Sequence, residues 1–468
     1  MLVMKFGGTS VGSADRFTEV LAIVRTAKDK SSQKAPLVVL SAMSGVTNSL
    51  IRAAELAAQR DLKGALAELA SIREKHANCL NRLLAPGKSK GIAEHTFAQL
   101  QPYFEELEIL LKGVSYLGEL SPRSLDAISG AGELLSSKIF FLFARDKELD
   151  CQWIDAREVM VTDDSFGKAN PLADEIEKRS LTTIDPLLKQ GTVVVTQGFI
   201  GATKDGISTT LGRGGSDYSA SIFGAALKAE EIQIWTDVDG MMTADPRLVP
   251  EATVIEEVGF QEASELAYFG AKVLHPLTIK PAIEKGIPVR ILNTLRPEGR
   301  GTIIISDDEV RRAKREEWGS VCAIAAKKGI SALFISSPKM LMAHGFLAKV
   351  FQIFDRHKTS IDLIATSEVS VSLTLDQTER LQDIVGDLRE YGEVKVMNDL
   401  SIVTVVGRQF RDKSGIAGEV FSALKDINII MISGGASDIN LSFVVSREDA
   451  DKSIKQLHRH FFKVAVKT

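Results

Sequence analysis

The sequence predicts an α/β protein: a mostly parallel sheet covered by helices, followed by two ferredoxin-like βαββαβ units. Three observations carry that prediction. Strand-like and helix-like segments alternate up to about residue 305. Two strand, glycine-turn, helix units stand within that stretch, one at the N-terminus and one around residues 209–218. Beyond it the chain repeats itself. A shift of about 70 residues lays Gly345 on Gly415, Val350-Phe351 on Val420-Phe421, Ser367 on Ser437, Glu368 on Asp438 and Ser372 on Ser442 without a gap.

The first unit is Leu2-Val-Met-Lys-Phe6, a short buried strand, followed by Gly7-Gly8-Thr9-Ser10 and a helix beginning near Ser13 or Ala14. Lys5 sits at the strand's end. It reaches across a phosphate cradled by the Gly7 and Gly8 amides, or it snorkels from a strand edge. Leu37-Val-Val-Leu40 is a second strand, ending in Ser41-Ala-Met-Ser-Gly-Val-Thr47. Ser41 and Thr47 either bond a small polar substrate or cap a helix from Asn48. Residues 49 to about 118 are rich in Ala, Leu, Glu and Lys at helical spacing, a helical excursion between strands.

Residues 209–218, Thr-Thr-Leu-Gly-Arg-Gly-Gly-Ser-Asp-Tyr, form the second unit. Its three glycines let backbone N–H groups approach an anion, and Arg213 is a planar charged fork suited to carboxylate or phosphate. Ser216 and Asp217 are good N-cap types for a helix running to Leu227. A helix N-terminus attracts anions, so two such loops in one chain favour a nucleotide. Ile232-Gln-Ile-Trp-Thr-Asp237 is a further strand ending in hydroxyl and carboxylate, where open α/β sheets bind ligands. The turn Ala244-Asp-Pro-Arg247 follows.

Other nucleotide motifs are absent. Gly87-Lys88-Ser89 lacks the first glycine of a P-loop, since Arg82 stands there. There is no G-x-G-x-x-G and no H-R-D. Composition narrows the class further. The 57 basic and 61 acidic residues give no electrostatic footprint for nucleic acid or anionic membrane. Cys79, Cys151 and Cys322 are too few and scattered for a disulfide framework or zinc site, so no resident metal is expected. No apolar run approaches a membrane span and no signal peptide precedes the first strand, so the expectation is a soluble cytoplasmic protein.

Taken together, K-F-G-G-T-S at 5–10, S-A-x-S-G-x-T-N at 41–48, Gly132-Glu133, T-T-L-G-R-G-G-S-D-Y, W-T-D-V-D-G and F-G-A-K-V-L-H-P at 269–276 resemble the aspartokinases, most closely the monofunctional, lysine-sensitive kind. The resemblance implies the amino-acid kinase fold at residues 1–305, a connector at 306–320, and tandem ACT domains at 321–398 and 399–468. It implies transfer of the ATP γ-phosphoryl group to the β-carboxylate of L-aspartate, with Mg²⁺, at the head of lysine, threonine and methionine biosynthesis. Lys5 with the Gly7 and Gly8 amides would hold the phosphoryl group, and Asp217 would orient Lys5 or a metal-bound water. Arg213 would take the substrate α-carboxylate and Glu133 its ammonium, with Ser41 and Thr47 alongside. Thr236, Asp237, Met242, Arg247, Lys272 and Val273 match nucleotide-binding positions; Met242 replaces a tyrosine found in many relatives. A glutamate-type kinase of the same fold and an inactive amino-acid sensor are the alternatives.

For regulation, the resemblance implies L-lysine bound between the paired ACT modules, which would also join a homodimer or dimer of dimers. Met340, Phe346, Leu347, Asp362, Thr366, Ser367, Glu368 and Val369 match the family's lysine pocket. Asp362 and Glu368 would take the two ammonium groups. Ala343 stands where relatives have a serine, which leaves threonine as a second effector.

Overall fold

The computed structural model describes residues 1–31, 34–84, 96–270, 274, 276–307, 321–340, 344–376, 378–408, 410, 413–435 and 437–462. The chain divides into two compact units. The first comprises residues 1–241, 256–260 and 273–312, and the second residues 242–255, 261–272 and 313–468.

In the first unit β1 (Leu2–Phe6), β2 (Leu37–Leu40), β3 (Cys151–Trp153), β4 (Val193–Gln197), β7 (Glu231–Thr236), β8 (Glu257–Gly259), β9 (Val289–Asn293) and β10 (Thr302–Ile305) form one sheet in the order 3-4-2-1-7-9-10-8. The hairpin β5 (Ile200–Ala202) and β6 (Ser208–Thr210) stands apart. Every pairing in the large sheet is parallel except β9 with β10. Apolar runs such as Leu37–Leu40 are buried on both faces, as a helix-covered parallel strand must be.

Helix α1 (Ala14–Lys30) joins β1 to β2; the helical excursion is α2 (Val46–Ala58), α3 (Leu62–Leu84) and α4 (Gln101–Leu117), and α5 (Pro122–Ser129) and α6 (Ala131–Asp146) lead on to β3. Inward side chains of these helices, among them Phe17, Leu50, Leu80 and Phe140, share one core with β1 and β2. The run Pro122–Asp146 has the length and apolarity of a membrane span, but 78% of its most apolar window is buried in this unit. Both cap expectations fail. Gly45 and Gly214, in left-handed backbone, cap α2 and α7 (Gly215–Leu227), so Thr47, Ser216 and Asp217 already lie in first helical turns.

The second unit corrects the expected division at 398/399. Its sheet runs 12-13-11-14-16-15, from β11 (Val321–Ser336), β12 (Ile364–Thr366), β13 (Ser370–Leu375), β14 (Glu393–Gly407), β15 (Met431–Gly434) and β16 (Asn440–Ser446). Two ferredoxin-like modules share the long strands. Ser331–Ser336 of β11 lies between β13 and the start of β14, closing the first module. Val321–Lys328 instead pairs with Ser401–Gly407, which pairs with β16. The fourth strand of the second module therefore precedes the first module in sequence, because β11 is long enough to serve both. Helices α9 (Phe346–Arg356) and α10 (Leu381–Leu388) cover the first module; α11 (Ile416–Ala423) and α12 (Arg447–Phe461) cover the second.

Residues 242–255 also depart from the expected 1–305 domain. Ala244 and Val249 join the apolar core of the second module. The Thr243 hydroxyl lies 3.0 Å from His458 Nε2, and the Ile324 amide donates to the Thr243 carbonyl.

Candidate active site

The C-terminal ends of the central strands open onto a cavity of about 560 Å³ in the first unit. Lys5 enters it from β1, Ser41 from the loop after β2, Thr47 from the first turn of α2, Glu133 from α6, and Arg213 and Asp217 from the glycine loop and first turn of α7. Lys5 Nζ lies 2.5 Å from Asp217 Oδ1, with only 10% and 14% of the two side chains exposed. Arg213 is exposed at the wall.

Glu133 is nearly covered, at 3% exposure. Gly132 brings it there: a Cβ on that residue would sit 2.9 Å from the Ala42 Cβ, so only glycine lets α6 approach the 41–45 loop this closely. Glu133 Oε1 then accepts the Ala42 amide at 3.2 Å, while Oε2 is buried without a partner among the described residues. Burial raises its pKa to about 8, against the Ala42 hydrogen bond that favours the charged form. A buried carboxyl with one unpaired oxygen is a ready acceptor for a cation.

Asp126, absent from the sequence reading, fixes the loop. Its Oδ2 accepts the Gly167 and Thr210 amides at 2.8 and 2.9 Å, and Oδ1 accepts the Thr210 hydroxyl at 2.8 Å. Phe199, also unforeseen, lines the cavity with φ at 68°, a strained value for an aromatic residue. Bonds from its amide to Ser219 and to its carbonyl from the Leu211 amide hold it there.

In the second unit Asp362 Oδ1 accepts from the Tyr268 hydroxyl at 2.5 Å and from Lys327 Nζ at 2.7 Å. Phe346 and Met340 pack into or against the apolar core of the first module. Thr366, Ser367, Glu368 and Val369 are exposed along edge strand β12 and the turn after it, and Leu347 is exposed on α9.

A family model described as the amino acid kinase family matches residues 1–293, and one described as an ACT domain matches residues 403–461. The chain is 38% identical over 476 residues to lysine-sensitive aspartokinase 3 of Escherichia coli strain K12, covering 99% of each. The chain belongs to the aspartokinases. It is 37% identical to aspartokinase 1, chloroplastic, of Arabidopsis thaliana over 98% of this chain and 80% of that one. The crystal structure of E. coli aspartokinase III in complex with aspartate and ADP matches 99% of this chain and all of its own, with a TM-score of 0.80 at 37% identity. The same enzyme in complex with lysine and aspartate matches with a TM-score of 0.81. The activity is that of an aspartate kinase, on an amino-acid kinase fold with C-terminal ACT modules.

The six residues expected to handle phosphoryl group and amino acid thus line one cavity. The Gly7 amide corrects one detail: it donates to the Trp235 carbonyl at 3.1 Å, closing the turn after β1, while Gly8 lines the cavity. Thr236 and Asp237 lie at the end of β7, hydrogen-bonded to one another at 3.2 Å. Met242 and Arg247 fall in the second unit, where Arg247 forms a two-pronged pair with Asp245. Lys272, Val273 and Ala343 lie outside the described residues.

Proposed function

We propose that this chain transfers the γ-phosphoryl group of ATP to the β-carboxylate of L-aspartate, giving 4-phospho-L-aspartate, and that L-lysine inhibits it through the first ACT module. One observation supports the catalytic part above others: a single cavity gathers a buried ammonium, an exposed guanidinium and a buried carboxyl, from Lys5, Arg213 and Glu133. That is the complement of a phosphoryl group and a zwitterionic amino acid.

The β-carboxylate, with an ordinary pKa of about 3.9, is already an anion at neutral pH. No general base is needed, and catalysis reduces to positioning and positive potential. Arg213 binds the α-carboxylate as a planar fork. Glu133 takes the ammonium on its unpaired Oε2, and Ser41 and Thr47 flank the substrate. Lys5, aimed by Asp217, and the Gly8 amide meet the charge that develops on the transferring phosphoryl. Thr236, Asp237, Met242, Arg247, Lys272 and Val273 are assigned to the nucleotide by the family pattern. Met242 offers a polarisable surface without a hydroxyl.

Among the described residues there is no cluster of three or more His, Cys, Asp or Glu that could hold a metal. This reading assigns Asp217, 2.5 Å from Lys5 Nζ, to orienting Lys5 or a water on a Mg²⁺ carried by the nucleotide. Such an ion would supply positive charge against the nucleotide phosphates.

The domain division in this reading is a kinase domain drawn from residues 1–305 without 242–255 and 261–272, which belong to the second unit, and two ACT modules, the second completed by Val321–Lys328. The first module exposes Leu347, Phe351, Ile364 and Val369, an apolar surface suited to pairing two chains into a homodimer or dimer of dimers. Three free cysteines accord with a reducing cytoplasm. A hydroxamate assay with ATP and a panel of acidic amino acids tests the substrate. Turnover of glutamate without aspartate would overturn the assignment.

A further inference from the structure

The Asp362 side chain is 1% exposed and its two oxygens differ. Oδ1 holds the Tyr268 hydroxyl and Lys327 Nζ, whereas Oδ2 is buried with no partner among the described residues. Lys327 has a second carboxylate, Asp376, at 2.8 Å, and its ammonium stands 4.6 Å from the centre of the Tyr268 ring. Tyr268 belongs to helix α8 (Phe260–Phe269), and Lys272 and Val273 follow that helix within four residues. The other end of the helix is clamped separately: Glu262, 3% exposed, takes Arg408 Nε at 2.6 Å and its terminal nitrogen at 3.2 Å.

We propose that Tyr268 is a positioning residue that couples occupancy of Asp362 to the C-terminal end of α8. The inference rests on reading Asp362 as a ligand of the effector ammonium. A cation arriving at the unpaired Oδ2 draws carboxylate charge away from Oδ1 and sets a second positive charge near Lys327. Lys327 keeps Asp376 as a partner. The neutral Tyr268 hydroxyl has no second carboxylate at hydrogen-bond distance among the described residues, so its bond is the one that weakens. With Glu262 held by Arg408, the freed motion concentrates at the helix end that leads to Lys272. Burial, then the Asp362 hydrogen bond and the neighbouring Asp376 and Glu265, push the Tyr268 hydroxyl far above its usual range, so it stays a donor at physiological pH.

Tyr268→Phe in the full chain isolates this bond, since it keeps the ring over Lys327 and removes the hydroxyl alone. Calorimetry with L-lysine reads binding, and initial rates with L-lysine read inhibition. The expected result is a lysine Kd within about threefold of wild type and unchanged turnover without lysine, with half-inhibition shifted roughly tenfold or abolished. Wild-type inhibition in the variant would overturn the coupling role. So would loss of binding together with inhibition, which would make Tyr268 a ligand instead. Absence of lysine binding by the wild-type chain would overturn the effector assignment itself, and the coupling with it.

Discussion

The Lys5 ammonium rests 2.5 Å from Asp217 Oδ1, a cation from the end of β1 met by a carboxylate from the first turn of α7. The two residues come from the two strand, glycine-turn, helix units that dominate the sequence. The sheet makes them neighbours because β1 lies beside β7, which follows α7 directly. Removing one partner of so covered a pair leaves the other charge poorly compensated.

Lys5→Met is therefore expected to lower turnover by about 10²-fold or more, the usual effect of losing a group that meets transition-state charge. The melting temperature should fall as well, because Asp217 loses its counter-ion. The double variant Lys5→Met/Asp217→Asn should recover the melting temperature and stay inactive. Near-normal turnover in a folded Lys5→Met chain would return Lys5 to an ordinary snorkelling lysine.

Arg213 presents the opposite case, exposed at the cavity wall. Arg213→Ala should leave the melting temperature unchanged and raise the KM for aspartate. A lost charge-assisted bond of about 1.5–3 kcal/mol corresponds to roughly ten- to a hundredfold. Because the contact exists before and during reaction, kcat should move little. An unaltered aspartate KM would remove Arg213 from the substrate site.

Aspartate binding should depend on pH, with Glu133 as the proposed partner of the substrate ammonium. With its pKa raised from 4.5 to about 8, the empty site holds a neutral carboxyl at pH 7. An ammonium bound at Oε2 requires the charged form, so binding releases a proton. Below about pH 8, kcat/KM for aspartate should rise with pH by up to about tenfold per unit, then level off. Glu133→Gln should be weak and lack this slope. Stability runs the other way: folding raises this pKa, so the wild-type chain gains most relative to Glu133→Gln below pH 4.5 and loses that advantage as pH rises through about 8. A pH profile of Glu133→Gln parallel to wild type would contradict the assignment.

Asp126→Ala should loosen the glycine loop. It strands the buried Thr210 amide and hydroxyl, at a cost of about 1–3 kcal/mol for each buried donor left unpaired, and frees the exposed Gly167 amide to water. A lower melting temperature together with a raised aspartate KM is expected. A stable variant with wild-type kinetics would show that the loop is held by other means.

Why Asp126 escaped the sequence while Arg213 did not is a matter of range. Arg213 announces itself through Gly212, Gly214 and Gly215 beside it, a purely local pattern. Asp126 acquires its role from Gly167 and Thr210, 41 and 84 residues away, and nothing around it in the chain marks that meeting. The shared strand β11 was hidden for the same reason. Leu333–Ile335 reads as the first strand of a repeat, but only pairing with Ser401–Gly407 reveals that Val321–Lys328 completes the other copy. Likewise Thr243 and Ala244 follow a nucleotide-type strand, and their attachment to His458 and the second module's core depends on contacts some 200 residues distant. Local backbone demands were legible, whereas partnerships across the sheet were not.

Glu368 offers the cleanest test of the proposed effector site. It is exposed on the turn between β12 and β13, while Asp362, the other carboxylate expected to meet a lysine ammonium, is buried and already engaged on one oxygen. The two therefore differ in what their removal does. Asp362→Ala would leave Lys327 with Asp376 alone and take away the acceptor of the Tyr268 hydroxyl, so its effect on inhibition mixes two causes. Glu368→Ala removes the proposed ligand group from an exposed turn and little else. Loss of one hydrogen bond to a charged group, about 1.5–3 kcal/mol, should raise the lysine concentration for half-inhibition by roughly ten- to a hundredfold. Ala343, in place of the relatives' serine, works in the same direction, so Ala343→Ser should tighten inhibition. Titration of wild type, Glu368→Ala and Ala343→Ser with lysine and with threonine measures all of this. Lysine inhibition that survives Glu368→Ala unchanged, or indifference of the wild-type chain to both amino acids, would defeat this site.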